Sequence, residues 1–355
     1  MKKKATITEV AEAAGVSIAT VSRVLNKTGL VADALREKVE KAVIDTGYQS
    51  NPIAGSMKNM KRNQIAIIIP TLRRNYYIDI IKGISDECYR RGYVPCVLES
   101  NGDFEKEKQL ILSLERQWVD GIILVPGECA EPEEYRQYAE YLANLKKRNI
   151  AIPVVLVDSP EMENLDSVSS DYESSFCQMT EHLLEVGRKK LAFIANAENV
   201  PMYGPFLAGV RKAAAEHGVT IDNRLVKTGN YTVLHGYQAV KELLEDNAQF
   251  DGIVCVNDQV AAGAQNACQE CGLVVPNDVA IIGFGGVALS IVPTPSISTM
   301  TIPRLTIGQT AVRMLFERID GTRETVQHER LKGYLAIRGS TMRSARKRLD
   351  IMFNE

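Results

Sequence analysis

The chain has 355 residues, of which 45% are hydrophobic and 24% are charged, and its net charge is −2. This length predicts two or three domains, and the composition excludes a disordered protein, a collagen-like protein and a small disulfide-stabilised scaffold. No apolar run approaches the roughly 18 residues of a membrane span. The basic N-terminus precedes a capped helix instead of an apolar signal segment, and the seven cysteines form no recognisable disulfide framework. We therefore expect a cytoplasmic protein.

Charge is distributed unevenly along the chain. Residues 1–63 carry 11 Lys and Arg against 6 Asp and Glu, a net charge of +5. The remaining residues carry 31 against 38, a net charge of −7. A small basic segment on a large acidic body is typical of a chain that contacts a polyanion. A solvated basic tail would give the same pattern, so charge alone leaves both interpretations open.

The first predicted element is a short helix near the N-terminus. Thr6 and Glu9 have the spacing of a capping box, in which the Thr6 hydroxyl accepts from the Glu9 amide while Glu9 reaches back. Gly15 ends the helix, because glycine readily adopts a positive φ. Ser17 then caps a second helix, so the segment predicts two helices joined by a tight turn.

The second and third predicted helices run from Ile18 to Leu25 and from Asp33 to Thr46, and the third stops at Gly47. The apolar side chains expected to face inward are Val10, Ala11, Ala14, Val21, Val24, Leu25, Leu35, Val39, Ala42 and Val43. A helix, a tight glycine-containing turn and a second short helix form a helix-turn-helix. Residues 1–50 are thus predicted to form a three-helix head.

The second helix leaves Ile18, Ala19, Ser22 and Arg23 on its outer face. Small apolar groups contact thymine methyls in the major groove, and an arginine pairs with guanine. Serine and threonine hydroxyls beside them suit phosphate contacts. This face therefore predicts DNA binding, although a generic three-helix bundle would also expose a polar face.

The run from Ala14 to Asn26, AGVSIATVSRVLN, resembles the signature of the lactose/galactose repressor (LacI/GalR) family, as does the run from Gly47 to Ala54. The resemblance continues through the whole chain to Thr341. It implies that Ile18 and Ala19 read bases and that Arg23 contacts a base in the major groove. The positions that it places on the phosphate backbone are Thr6, Ser17, Thr20 and Asn26.

Residues 51–63 form a predicted hinge. The resemblance implies a helix that folds only when both dimer and DNA are present, with an apolar side chain wedged into a central base step. Its expected DNA-contacting positions are Asn51, Ala54 and Met57. Met57 stands where the family has leucine, and Gly55 lowers helix stability by about 1 kcal/mol relative to alanine. A flexible linker without DNA contact is the alternative.

From Gln64 onward, apolar strand-like runs alternate with helical patterns. The predicted strands are Ile65–Pro70, Tyr93–Glu99, Gly121–Pro126, Pro153–Asp158, Leu191–Asn196, Gly252–Asn257 and Val279–Phe284. Such alternation predicts an α/β fold with parallel sheets buried on both faces, here in two similar lobes. In open sheets of this kind, ligands bind beyond the carboxyl ends of the strands.

The resemblance implies a periplasmic-binding-protein-like effector and dimerisation domain over residues 64–341. Lobe 1 is expected at about 64–163 and 299–325, and lobe 2 at about 164–298 and 326–341. Residues 342–355 form a tail that is too short for a tetramerising coiled coil, so we expect a homodimer.

No pattern in the sequence predicts an enzyme, a cofactor or a metal. Gly283 to Gly286 follows a predicted strand, but no helix begins at once and no acid follows at the spacing of a dinucleotide site. The Cys268–Cys271 pair lies within a helix, where Cys268 faces the apolar side. Buried packing is the favoured interpretation of that pair.

The candidate effector-binding residues lie after the predicted strands. By their match to the family these are Arg74, Tyr76, Tyr77, Asp158, Tyr231, Asn257, Asp258 and Gly285. Tyr231 falls where an aromatic ring commonly stacks on a sugar, although each aromatic would also suit ordinary core packing. Gly204 and Gly285 stand where sugar-binding or purine-binding members carry an Arg and an Asp. These departures, together with Arg73 and Arg74, favour a small anionic or aromatic effector over a neutral sugar.

The sequence therefore predicts a homodimeric regulator that binds operator DNA, more consistent with a repressor than an activator. An effector between the lobes would change the hinge spacing. A stand-alone small-molecule-binding protein of the same fold is one alternative. A regulator controlled by a protein partner is another. Arg313 matches the docking helix of such proteins, whereas Glu317 replaces the lysine expected there.

Overall fold

A computed structural model describes residues 5–25, 31–48, 62–117, 119–127, 131–148 and 150–344. The chain divides into two compact units, residues 1–62 and 63–355. Among the helices of the described ranges, none combines the length and the apolar character needed to cross a membrane.

The described residues of the first unit form three helices: α1 (Ile7–Ala14), α2 (Ile18–Leu25) and α3 (Asp33–Thr46). The predicted capping box is present, since the Thr6 amide donates to Glu9 Oε2 at 2.6 Å and the Glu9 amide donates to Thr6 Oγ1 at 3.3 Å. Gly15 and Gly47 both close their helices in the left-handed conformation. The predicted bounds of α2 and α3 are confirmed.

A small apolar core joins the three helices. Its buried members are Val10, Ala11, Val21, Val39 and Ala42. The expectation that Leu35 is buried was wrong, because its side chain stays 38% exposed in the first turn of α3. A residue at a helix end has fewer neighbours available to cover it.

The described residues of the second unit form two six-stranded sheets. Its strands are β1 (Gln64–Ile69), β2 (Val94–Glu99), β3 (Gly121–Leu124), β4 (Val154–Val157), β5 (Asp166–Ser170), β6 (Leu191–Asn196), β7 (Val226–Gly229), β8 (Gly252–Cys255), β9 (Ala280–Gly285), β10 (Ser298–Thr301), β11 (His328–Leu331) and β12 (Tyr334–Ala336). The sheet orders are β11-β5-β4-β3-β1-β2 and β12-β10-β9-β8-β6-β7. Neighbouring strands run parallel except for β10 and β12, which confirms the predicted parallel α/β architecture.

Helices cover the sheets. They are α4 (Tyr76–Arg90), α5 (Phe104–Arg116), α6 (Pro132–Ala143), α7 (Tyr172–Glu185), α8 (Tyr203–Glu216), α9 (Val233–Glu245), α10 (Asp258–Glu270) and α11 (Arg304–Ile319). We call the first sheet with α4, α5, α6 and α11 lobe 1, and the second sheet with α7 to α10 lobe 2. The closest helix pairs are α4 with α11, α7 with α8, and α9 with α10.

The chain crosses between the lobes later than the sequence predicts. The crossovers expected near residues 164, 298 and 326 lie instead after β5, β10 and β11, at about residues 171, 302 and 332. The strand β5 (DSVSS) and the strand β10 (STMT) are fully buried despite their hydroxyl side chains. Because they lack an apolar run, the hydrophobic pattern does not reveal them.

Glycines allow α4 and α11 to approach closely. A Cβ at Gly83 would lie 2.2 Å from the Leu305 carbonyl oxygen, and a Cβ at Gly308 would lie 2.2 Å from that of Ile80. The contact places the segment of α4 from Ile80 to Ile84 against the first two turns of α11, directly after the turn that carries Tyr76 and Tyr77.

Candidate DNA-contacting surface and interlobe cavity

The outer face of α2 carries the side chains predicted to read bases. Ile18 is 47% exposed, and Ala19 and Arg23 are also exposed, whereas Val21 is buried against α1 and α3. Ser22 is half-buried. Helical geometry thus places the three exposed side chains on the surface opposite the small core.

Hydroxyl groups cluster at the N-termini of α1 and α2. Ser17 Oγ and Thr20 Oγ1 lie 2.9 Å apart, and the Thr20 amide donates to Ser17 Oγ at 3.2 Å. Thr6 occupies the corresponding cap of α1. Helix N-termini offer amide donors and a favourable dipole to phosphates. The predicted contacts Asn26, Asn51, Ala54 and Met57 lie outside the described residues.

A cavity of about 110 Å³ lies between the lobes, at the carboxyl ends of the strands. Six of the predicted effector residues line it: Arg74, Tyr76, Tyr77, Asp158, Tyr231 and Asn257. Further lining residues that the sequence analysis missed include Tyr135, Tyr172, Met202, Phe206 and Phe284. Phe284 belongs to the end of β9, so the rule that ligands bind beyond strand ends could have identified it.

Aromatic rings form much of the cavity wall. The Tyr172 and Phe206 rings meet edge to face with centroids 5.4 Å apart, and Tyr76 meets Tyr77 in the same way at 5.8 Å. Phe284 packs 5.8 Å from Tyr172. Such walls favour a ligand with a flat apolar face.

Asp158 supplies a buried carboxyl group. It follows β4 with a left-handed φ of 49°, and its Oδ1 accepts from the Tyr172 hydroxyl at 2.6 Å. Among the described residues, neither its Oδ2 nor the Tyr76 hydroxyl has a well-directed hydrogen bond, and both atoms are buried. Burial raises the pKa of Asp158 and, still more strongly, the pKa of Tyr76.

Arg74 and Tyr231 meet across the cleft from opposite lobes. The Arg74 guanidinium carbon lies 4.3 Å from the Tyr231 ring centroid, and its Nη1 donates to the Tyr77 hydroxyl at 3.3 Å. Asn196 Nδ2 donates to the Tyr231 hydroxyl at 3.0 Å. This set of contacts orients the ring that the sequence analysis identified as a stacking surface.

Asn257 lines the cavity, but both polar atoms of its side-chain amide form hydrogen bonds within the protein. Its Oδ1 accepts from the Val260 amide at 2.7 Å and so caps α10, while its Nδ2 donates to the Tyr231 carbonyl at 3.1 Å. Asn257 therefore positions Tyr231 as well as the start of α10.

Two predicted effector residues, Asp258 and Gly285, do not line the main cavity. Asp258 is buried and accepts from Thr299 Oγ1 at 2.6 Å and from the Val287 amide at 2.8 Å. Burial raises its pKa to about 6. It borders a smaller recess of about 40 Å³.

The backbone conformation favours glycine at the end of β9, at Gly285 and Gly286. Gly285 has a φ of 118°, a conformation that side-chain-bearing residues rarely adopt, and Arg304 donates to its carbonyl oxygen. A Cβ at Gly286 would lie 2.7 Å from Thr301 Oγ1. A side chain at either position would strain this turn, so the backbone conformation accounts for the departure from the family pattern at Gly285.

A second buried carboxylate, Glu107 on α5, supports one wall of the cavity. Its Oε1 accepts from Ser100 Oγ and from the amide of Gly127, each at 2.8 Å, and its Oε2 accepts from the Tyr138 hydroxyl. Gly127 lines the cavity. Burial raises the pKa of Glu107. This residue showed no functional signal in the sequence.

Among the described residues, Cys177, Glu181 and Glu216 lie close enough together to hold a metal ion. A cysteine binds a metal as the thiolate, and burial raises the pKa of Cys177 to about 11. Binding of a metal there would require this thiol to lose its proton.

Comparisons with known proteins agree with both units. Residues 6–51 match the model for bacterial regulatory proteins of the lacI family, and residues 180–341 match a periplasmic binding protein-like domain. The HTH-type transcriptional repressor PurR of Vibrio atlanticus (strain LGP32) is 30% identical over 316 residues, covering 89% of this chain and 92% of that protein. Catabolite control protein A of Priestia megaterium is 32% identical over 323 residues, covering 90% and 94%.

A solved structure of the lac repressor dimer, bound to operator and an anti-inducer, aligns with a TM-score of 0.84. Its sequence identity is 25%, and the alignment covers 96% of this chain and 99% of that one. The chain therefore belongs to the lacI family of bacterial regulatory proteins and is a DNA-binding transcriptional regulator of the repressor type, controlled by a small-molecule effector.

Proposed function

We propose that the chain acts as a homodimer in which α2 of each copy reads one half of a near-palindromic operator. The observation that carries this proposal is the exposed face of Ile18, Ala19 and Arg23, in a unit separate from the one that holds the interlobe cavity. An operator as target requires the protein to act beside the bacterial chromosome, in the cytoplasm.

Each DNA contact has a distinct role in this proposal. Ile18 and Ala19 contact thymine methyls, and Arg23 pairs with a guanine. The hydroxyls of Thr6, Ser17 and Thr20 bind phosphates and fix the register, and Ser22 lies at the edge of the reading face. The remaining proposed contacts follow from the family resemblance: Asn26 on phosphate, and Asn51, Ala54 and Met57 in the hinge.

Exposed apolar side chains on lobe 1 support self-association. Ile78 and Tyr89 on α4 are 56% and 83% exposed, and Val94 on the adjacent strand β2 is 62% exposed. The strand β2 lies at the edge of its sheet, where backbone groups can pair with a second copy. We assign this surface to the dimer interface.

Contacts between the lobes supply the proposed coupling. Arg74 meets Tyr231, and Tyr172 of lobe 2 bonds to Asp158 of lobe 1. Arg304, paired with Asp79 in lobe 1, donates to a lobe 2 carbonyl. An effector that binds more tightly to one arrangement of these contacts shifts the angle between the lobes. In the proposed dimer, this shift changes the distance between the α2 helices of the two copies.

Control by a partner protein receives less support. Arg313, which matches the docking helix of partner-controlled proteins, already pairs with Glu317 at 2.9 Å and with Glu329. These two carboxylates accept hydrogen bonds from the guanidinium that a docking partner would contact.

The test is selection of bound sequences from randomised DNA with the full chain, followed by light scattering of the complex. We expect a near-palindrome bound by two copies. A single asymmetric site, or binding without sequence preference, would contradict the proposal.

A further inference from the structure

The inference concerns the chemistry of the effector and rests on the proposed role of the interlobe cavity. Among the described residues that line it, Asp158 is the one acid and Arg74 the one lysine or arginine. Most of the remaining lining side chains are aromatic or aliphatic, including Val125, Pro126, Pro160, Val200, Pro201, Met202, Phe206, Val256 and Phe284. The described part of the lining therefore offers one charged group of each sign within an apolar, flat-walled space.

Asp158 requires a hydrogen-bond donor. Tyr172 satisfies its Oδ1, while Oδ2 is buried without a well-directed hydrogen bond in the described ranges, although the Tyr76 hydroxyl and the Ser170 amide lie near the carboxyl group. The hydroxyl of Tyr135, another lining residue, is also buried without a well-directed hydrogen bond there, although Ser159 lies near it. A buried polar atom left without a partner costs about 1–3 kcal/mol. A ligand hydroxyl or amine donating to Asp158 Oδ2 would recover this cost.

Arg74 suits a carboxylate. Its guanidinium is held at a fixed place by the Tyr231 face and the Tyr77 hydroxyl, and a planar guanidinium binds carboxylates through two parallel hydrogen bonds. An arginine in this place disfavours a cationic ligand, so the aromatic walls do not form a cage for an ammonium group.

The cavity is poorly equipped for a sugar. A sugar presents hydroxyls around its whole ring, and selective binding requires polar partners for several of them. The Asn257 amide is already engaged at both atoms, and the Tyr231 hydroxyl accepts from Asn196. Gly204 is exposed and supplies no side chain to the cavity.

We propose that the effector is a small planar aromatic carboxylate that carries a hydroxyl or amino donor. The ring lies between the aromatic walls, the donor binds Asp158 Oδ2, and the carboxylate binds the Arg74 guanidinium.

Isothermal titration of the full chain with five probes tests this assignment: 4-hydroxybenzoate, 4-aminobenzoate, benzoate, phenol and cellobiose. We expect the two bifunctional acids to bind at least tenfold more tightly than benzoate or phenol, since each of the latter lacks one anchor. Cellobiose should bind more weakly than all four aromatics. These comparisons use the unaltered protein and do not depend on whether a variant folds.

Variants then assign each anchor. Asp158→Asn should remove the preference for 4-hydroxybenzoate over benzoate, and Arg74→Gln should remove the preference for 4-hydroxybenzoate over phenol. Arg73→Gln is the matched control, because Arg73 is an exposed neighbour that does not line the cavity, and it should change neither ratio.

Equal binding of 4-hydroxybenzoate and benzoate, no binding of any aromatic acid, or tighter binding of cellobiose would each overturn the assignment. Gel shifts with the selected operator, run with the same probes, test the proposed function separately. If an aromatic acid binds with the predicted ratios but leaves operator affinity unchanged, the ligand class stands and control through this cavity fails. If cellobiose alone binds and changes operator affinity, control stands and the ligand class fails.

Discussion

Arg23 is the single side chain on α2 that can discriminate a guanine, so its removal should affect specificity more than affinity for DNA in general. We expect Arg23→Ala to cost about 1–3 kcal/mol on the selected operator and to relax preference at one symmetric base pair. Titration of labelled operator and of scrambled DNA measures both quantities.

Arg36→Ala is the matched control, since Arg36 is an exposed arginine of the same unit on α3, near Asp33. It removes the same charge as Arg23→Ala. We expect it to weaken binding to the operator and to scrambled DNA equally, and to weaken operator binding less than Arg23→Ala does. Loss of base preference in Arg36→Ala, with preference retained in Arg23→Ala, would contradict the assignment of α2.

Asp258 gives a pH dependence whose sign follows from its burial. The folded-state pKa of about 6 lies above the usual value of 3.8, although the Arg304 and Arg338 charges lower it. The native state therefore holds a proton that the unfolded state releases, and stability falls as pH rises from about 4 to about 6, then levels.

Two pKa units correspond to about 3 kcal/mol. We expect the free energy of unfolding of the wild type, measured relative to that of Asp258→Asn, to fall by about 3 kcal/mol between pH 4 and pH 6. Above pH 7 the difference between the two proteins should stay constant. Urea unfolding at a series of pH values provides the measurement. A difference that is flat from pH 4 to pH 6 would show that Asp258 is ionised throughout.

At the scale of elements, the close crossing of α4 and α11 connects packing to the cavity. Gly308→Ala places a Cβ against the Ile80 carbonyl and must move α4, which carries Tyr76 and Tyr77. Overpacking of this kind costs about 1–3 kcal/mol. We expect a lower melting temperature together with weaker effector binding.

Gly204→Ala is the control for that substitution. Gly204 lies in the first turn of α8, and a Cβ there would have no neighbour within 4 Å. Alanine should stabilise the helix by up to about 1 kcal/mol. Equal melting temperatures for the two variants would exclude the tight crossing.

Sequence periodicity identified the elements with apolar patterns and missed those without them. The helices α2 and α3 and the strand β6 fall at their predicted bounds, because capping residues, glycines and apolar runs mark them directly. The strand β5 escaped prediction because Asp166 and three buried serines replace apolar side chains. Asp166 is instead held by Arg318 and Arg323 from α11 and the segment after it. Such partners come from distant parts of the chain, where no local pattern points to them.

The same distinction holds for the cavity. Strand-end positions and family matches located Arg74, Asp158 and Tyr231. They could not show that Asp258 turns into the interior of lobe 2, since that depends on Thr299 and on the backbone after β9. Glu107 was invisible for a related reason: its role arises from three contacts outside its own helix.

For the whole molecule, the exposed surface of α4 and β2 predicts the oligomeric state. Val94→Asp places a charge at the centre of the proposed interface and should convert the dimer to a monomer. Operator affinity should fall at least a hundredfold, because a single reading helix gains nothing from a second half-site. Light scattering and gel shifts measure the two effects.

Leu112→Asp is a suitable control, since Leu112 is 39% exposed on α5 and borders a surface recess that it shares with side chains of α6. It should remain dimeric and bind operator normally. A dimer that persists in Val94→Asp would place the interface elsewhere on the molecule.

The guanidinium of Arg74 has one more consequence, for how affinity is set. It covers a face of Tyr231 at 4.3 Å, so a ring that stacks on that face competes with a group belonging to the protein. The apparent dissociation constant is then the intrinsic one divided by the fraction of molecules in which the face is uncovered. A ligand whose carboxylate binds Arg74 gains an interaction that offsets this rise in the apparent dissociation constant. A ligand that only stacks on Tyr231 gains no such interaction, so its apparent affinity is reduced by the whole effect. Selectivity among ligands of similar shape can thus arise from a side chain that some of them never touch.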